Sequence, residues 1–104
     1  MNFNIEKLKE NEIKRKLKFF KNWNYKGNYL VRFLKLKDFV SAVKFINDIL
    51  PIAESLNHHP DIEIKNYNEV TIKITTHDVG GVTEYDFQLA EKIENIISSL
   101  KLSK

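Results

Sequence analysis

Apolar residues recur along this chain with two different periods, and the switches between them mark its elements. Ile13, Leu17 and Phe20 lie four and three residues apart, which predicts a helix beginning between Asn4 and Asn11 and ending near Phe20. The aromatic, β-prone Trp23-Asn24-Tyr25, the turn-forming Lys26-Gly27-Asn28 and the run 29–36 then predict a hairpin. Asp38 is placed to cap a second helix, as an acceptor for an orphan amide and a charge that suits the helix dipole. That helix carries Phe39, Ala42, Val43, Ile46, Ile49, Leu50, Ala53 and Leu56 on one apolar face. Pro51 inside it predicts a kink or a break, because proline lacks the amide hydrogen and collides with the preceding turn. The helix must stop by His59, since the residue before Pro60 is pushed to extended geometry.

A second hairpin follows, with Ile62 and Ile64, then Val70, Ile72 and Ile74, alternating with polar residues around a turn near 66–68. Gly80-Gly81 interrupts the chain, and Thr83 with Asp86 three residues later resembles a capping box opening a last helix. Phe87, Ala90, Ile93, Ile97 and Leu100 are its buried stripe. The order α-ββ-α-ββ-α predicts an α+β fold, a two-layer α/β sandwich whose four-stranded antiparallel sheet carries helices on one face. All 104 residues are expected to form one domain, since a chain of this size has no room for a second core.

Composition narrows the class. With 42% hydrophobic and 30% charged residues the profile is that of an ordinary globular protein. No apolar run approaches the ~20 residues that cross a bilayer. Met1-Asn2-Phe3-Asn4 lacks the basic-then-apolar pattern of a secretory signal, so a cytoplasmic location without membrane contact is expected. Having no cysteine excludes disulfides, thiolate nucleophiles and cysteine-type zinc sites. The net charge of +3 is modest. Lys7, Lys9, Lys14, Arg15, Lys16, Lys18 and Lys21 crowd the first fifth, but Glu6, Glu10 and Glu12 are interleaved among them. Mixed sign is the signature of a solvated helix face and argues against a nucleic-acid partner.

The chemistry-bearing residues are concentrated elsewhere. All three histidines, His58, His59 and His77, fall within twenty positions, and Glu54, Pro60, Asp61, Thr76, Asp78 and Asp86 surround them. Histidine, with an ordinary pKa of about 6.5, both gives and takes protons near neutrality. His58 and His59 sit at the exit of a helix and His77 at the end of the strand returning from the second hairpin, so pairing of that hairpin brings them together. If that strand continues, position 77 faces away from the apolar side and the imidazole is exposed. A solitary polar histidine is ordinarily only a solvated residue, and an adjacent pair can serve a helix C-terminus through its dipole. Zinc is a sharper rival, but it needs three or four well-spaced ligands, and neighbouring histidines reach one ion with difficulty, leaving Asp86 or Glu54 to complete a set. Glu54, four residues before His58 on the helix, is expected to orient it. Asp86 has a competing use as a helix cap.

The run Glu54-Ser55-Leu56-Asn57-His58-His59-Pro60-Asp61, followed by Tyr67, Val70, Thr76-His77-Asp78, Gly81, Thr83 and Asp86, resembles the signature of the pterin-4a-carbinolamine dehydratases. Trp23, Arg32 and Asp38-Phe39 match weaker N-terminal positions of that family, so the resemblance runs from about position 13 to 97. Pro51, Val82 in place of the usual leucine, and the lysine-rich N-terminus depart from it without touching a histidine. The resemblance implies dehydration of 4a-hydroxytetrahydrobiopterin to quinonoid dihydropterin, with no metal or redox cofactor. It also implies a homo-oligomer, a dimer or a tetramer built from two dimers.

In that reaction hydroxide leaves C4a and a proton leaves N5, so one acid and one base suffice. His59 and His77 are the expected acid–base pair and His58 the residue that positions the substrate ring. Glu54, Pro60, Asp61, Thr76, Asp78 and Asp86 are the expected supporting shell. Two alternatives follow from the same resemblance. One is a non-enzymatic dimerisation cofactor of homeodomain transcription factors. The other is a dehydratase for another pterin, such as a molybdopterin-type substrate.

Overall fold

A computed structural model describes residues 5–102, and the signal-free reading of residues 1–4 lies outside them. Helix α1 spans Glu10–Leu17, β1 Trp23–Lys26, β2 Tyr29–Lys35, α2 Phe39–Leu56, β3 Asp61–Lys65, β4 Glu69–Ile74 and α3 Glu84–Leu102, with a 3-10 turn at His77–Val79. The predicted α-ββ-α-ββ-α order is the observed one, and the sheet is antiparallel throughout in the order β1-β2-β4-β3. None of the described helices is long and apolar enough to cross a membrane.

Each hairpin turn is set by local chemistry. Gly27 and Asn28 both take positive φ, 56° and 71°, which is what a two-residue turn between twisted strands requires. Period-two alternation then sorts the strand residues between faces. Leu30, Val70, Ile72 and Ile74 are fully buried against Phe45 and Ile49 of α2 and Leu89 and Ile93 of α3. Tyr29, Val31, Phe33, Thr71, Lys73 and Asp61 occupy the opposite face. Trp23 and Arg32 are paired across β1 and β2, and both donate to Glu94 Oε1 of α3, at 2.8 and 2.6 Å. Sheet and helix layers are thereby joined through a buried guanidinium that keeps its partner.

Four expectations are corrected. Helix α1 ends at Leu17, three residues early, because the amides of Phe19 and Phe20 turn to the carbonyls of Lys16 and Leu17 in tight i→i−3 bonds. Of the two outcomes expected of Pro51, the break does not occur, and α2 runs on for 18 residues. The missing bond strands one carbonyl, that of Asn47, on an exposed part of the helix where water can serve it. The inward face of α2 is Ala42, Phe45, Ile49 and Ala53, whereas Phe39, Val43 and Leu50 are exposed. The helix is apolar around so much of its circumference that spacing alone does not choose the side facing the sheet. Finally, β4 stops at Ile74, so His77 is displayed by a 3-10 turn and owes its exposure to that turn rather than to strand alternation.

Both ends of α2 are well closed. Asp38 accepts from the Ser41 amide at 2.8 Å, and hydrogen bonds from the Ser41 side chain and backbone hold its carboxyl below the ordinary value of 3.8. At the other end Asn57 turns left-handed, φ 51°, and the His58 amide reaches back to the Ala53 carbonyl at 3.0 Å. This closure, with its six-to-one bond, swings the chain off the helix axis immediately before the two histidines.

Candidate active site

The swing at Asn57 decides where His58 goes. Its ring does not stack above Glu54, as helical spacing predicts, because position 58 is no longer on the helix. It turns inward, and Nε2 lies 2.6 Å from Asp86 Oδ1. The His58 side chain is 14% exposed and that of Asp86 fully buried. The second carboxylate oxygen of Asp86 accepts from the Thr83 amide at 2.7 Å and from the Thr76 hydroxyl at 2.8 Å. The Thr83 hydroxyl accepts from the Tyr85 amide at 3.2 Å and lies 2.8 Å from that of Thr76. Thr76 spends its proton on Asp86, so Thr83 donates to Thr76. An ionised carboxylate only accepts, so with Asp86 in that form it is Nε2 of His58 that donates. Asp86 is therefore both the cap of α3 and the anchor of a histidine, and the two uses do not compete.

His59 has the opposite surroundings. It is 55% exposed, and its Nε2 lies 2.7 Å from Glu54 Oε2, itself exposed. Glu54 thus serves His59, and its expected pairing with His58 is overturned by the left-handed turn that separates the two rings. His77 stands apart from both carboxylates. Its ring meets that of Tyr29 nearly edge-on, with centroids 6.3 Å apart, and no carboxylate pairs with it among the described residues.

The supporting residues divide. Thr76 is inside the buried network, and Pro60 leads into β3 half-buried. Asp61 opens β3 opposite Lys73, and Asp78 follows His77; both are exposed, and neither joins the Asp86 or Glu54 hydrogen bonds. The loop that carries Thr83 is held from outside as well. Thr76 donates its amide to the Gly81 carbonyl at 3.0 Å, and Leu8 donates to Val82 at 2.8 Å. A side chain at position 81 would meet the Lys7 methylenes that cross there, so glycine makes that approach possible.

Among the described residues no three His, Asp or Glu side chains converge as a metal site would require. The two adjacent histidines send their Nε2 atoms to different carboxylates. A cavity of about 700 Å3 lies at the other end of the sheet, lined by Arg32, Leu34, Lys35, Lys37, Ile97 and Leu100 among others, and no histidine borders it. The candidate site is marked by its proton carriers, which outweigh volume as a sign of this chemistry. Sequence reasoning missed Tyr85, whose ring lies 6.3 Å from that of His58, and Tyr29 beside His77. Tyr29 stands in no motif, and the position of Tyr85 within the capping box is the one available signal.

The chain is similar to known proteins over most of its length. The family model described as Pterin 4 alpha carbinolamine dehydratase matches residues 6–96. A Sulfurisphaera tokodaii protein provisionally named pterin-4-alpha-carbinolamine dehydratase is 45% identical over 94 residues, covering 90% of this chain and 100% of that protein. A Sulfolobus acidocaldarius protein of the same provisional name is 48% identical over 90 residues, covering 86% and 98%. Among solved structures, a transcriptional coactivator/pterin dehydratase from Brucella melitensis is similar with a TM-score of 0.82 and 33% identity, covering 88% of this chain and 98% of that one. A pterin dehydratase-like RuBisCO assembly factor of the α-carboxysome shares the fold, with a TM-score of 0.57 and 16% identity over 71% of this chain and 84% of its own.

Proposed function

The chain belongs to the pterin-4-alpha-carbinolamine dehydratase family, and from that membership we propose that it dehydrates a 4a-hydroxytetrahydropterin to the quinonoid dihydropterin using its three histidines. The observation that carries this reading is that the three imidazoles are presented in three different ways. One is anchored and nearly buried, one is exposed beside a carboxylate, and one is exposed with no carboxylate. Such a set supplies a fixed point and two solvent-facing proton carriers.

Hydroxide leaves C4a with the electron pair of its C–O bond, and a protonated imidazole converts it to water as it departs. The N5–H electrons form the new C4a–N5 double bond while a neutral imidazole takes the proton. With Glu54 ionised, His59 carries its proton on Nε2 and offers Nδ1 as the base. His77, with no carboxylate partner among the described residues, supplies the proton to the leaving group. His58, held by Asp86, borders the ring and keeps its orientation between turnovers. Each proton carrier contributes on the order of 10²–10⁴-fold. The test is the absorbance change on mixing purified protein with freshly generated 4a-hydroxytetrahydropterin. Acceleration over the buffer rate, unaffected by EDTA, is expected; no acceleration rejects the reading, and loss on chelation rejects the metal-free mechanism.

The reading includes an assembly. Phe39, Val43, Ile46 and Leu50 follow one another at intervals of four, three and four, a coiled-coil seam, and three of them are exposed on the outer side of α2. Copies of the chain associate through this seam as a dimer or tetramer. Light scattering at micromolar concentration checks it, and a mass near 12.3 kDa rejects it.

A further inference from the structure

Lys73 stands on the open face of the sheet, and its surroundings are unexpected for a strand lysine. Its cross-strand neighbour on β3 is Asp61, and directly opposed charges on neighbouring strands normally pair. Among the described residues no carboxylate pairs with Lys73. The side chain leans the other way, across β2, and Nζ lies 4.6 Å from the centre of the Tyr29 ring. Tyr29 in turn meets the edge of His77. Lys73, Tyr29 and His77 therefore stand in a row that ends at the candidate active site. Lys26, paired with Tyr29 in register, adds a second cation on the same face. Asp61 and Glu63 on β3 are the acids nearby in register, and Asp78 is near in sequence.

A cation over an aromatic face is attracted through its charge and leaves the ammonium N–H donors unspent. We infer that Lys73, turned toward His77 by Tyr29, is an anion-binding corner of this site, so that the preferred pterin carries a phosphate monoester at the end of its C6 side chain. This rests on the proposed dehydratase reading and sharpens its substrate class. The chemistry of the ring supplies the connection. C6 is bonded to N5, the atom that loses its proton, so the side chain leaves the ring beside the reacting edge. With that edge at the histidines, a short side chain laid along Tyr29 ends at Lys73. Contact with a group remote from the reacting atoms strengthens ground state and transition state alike and lowers KM rather than raising kcat.

The test compares two 4a-hydroxytetrahydropterins, one with a neutral trihydroxypropyl side chain and one with its terminal phosphate monoester. The wild-type protein is expected to favour the phosphate ester by about five- to tenfold in kcat/KM, mainly through KM, with the preference shrinking as salt is raised. Lys73→Met should abolish the preference, Lys73→Glu reverse it, and Lys73→Arg retain it. An equal kcat/KM for both substrates, or a preference that survives in Lys73→Met, overturns the inference while leaving the dehydratase reading intact. If neither pterin is turned over, the dehydratase reading fails. Fluorescence titration with the corresponding 7,8-dihydropterins then still decides the anion corner, since a five- to tenfold tighter Kd for the ester, lost in Lys73→Met, supports it and equal affinity refutes it.

Discussion

His58 and His59 are consecutive residues, yet they belong to two regions with opposite physical logic. His58 ends in the buried network of Asp86, Thr76 and Thr83, in which the hydrogen bonds of Asp86 tie the end of α2 to the 76–83 loop and the start of α3. His59 ends in an exposed pair with Glu54, made by two side chains from one stretch of chain. In the first region a removed partner leaves desolvated donors behind, and that costs far more than the bond was contributing. In the second, water replaces whatever is taken away, and an exposed ion pair is worth only ~0–1 kcal/mol. The comparison teaches that adjacent positions can differ completely in burial and in what holds them. The His58 imidazole joins separate elements of the fold, whereas the His59 imidazole faces solvent.

The largest effect should follow from breaking the anchored side. Asp86→Ala leaves the Thr83 amide, the Thr76 hydroxyl and the His58 ring without their acceptor. A loss of roughly 2–4 kcal/mol is expected, together with most of the activity. Chemical denaturation and the dehydration assay measure both, and a variant as stable as the wild type would show that the network is not structural.

On the exposed side the balance reverses. His59→Ala and His77→Ala should each reduce kcat by about 10²–10⁴-fold. Their unfolding free energies should stay within about 0.5 kcal/mol of the parent. Either variant melting early would move that histidine into the structural region and withdraw its role in proton transfer.

A finer distinction comes from the two carboxylates. Glu54→Gln keeps a polar partner for His59 but no longer dictates which ring nitrogen carries the proton, because an amide both donates and accepts. A fall of about tenfold in kcat with stability unchanged is expected, while an Asp38 variant should keep the wild-type kcat. Equal losses from Glu54→Gln and Asp86→Asn would erase the contrast between the two regions.

The smallest effect serves as a reference outside the site. The Asp38 carboxyl is held below its ordinary value by hydrogen bonds from the Ser41 side chain and backbone. A depressed folded-state value adds stability above the unfolded-state value, and that stability is lost as pH falls through the folded one. Asp38→Ala should therefore melt slightly below the wild type at neutral pH and coincide with it in strong acid. A gap persisting at acid pH would mean that the cap acts through something other than its charge.

Much of the molecule was legible in the chain itself. The two hairpins, the caps at Asp38 and Thr83 and the order of elements all follow from interactions between residues close in sequence, where period and turn chemistry act directly. That His58 and His59 lie at one end of the β3–β4 hairpin and His77 just beyond the returning strand also follows from local pairing. Three features came only from the tertiary structure. Which stripe of α2 faces the sheet was undetermined, because an apolar band wider than the contact it must fill has no preferred side until a sheet selects Ala42, Phe45, Ile49 and Ala53. The partner of each histidine depended on the left-handed turn at Asn57, a single dihedral choice that removes His58 from the reach of Glu54 and delivers it to a carboxylate 28 positions away. The lean of Lys73 toward Tyr29 and His77 depended on strand register and on competition between an aspartate and an aromatic face. Local propensity expresses what each segment does alone; the exchange of partners between segments is settled only when the chain has closed around them.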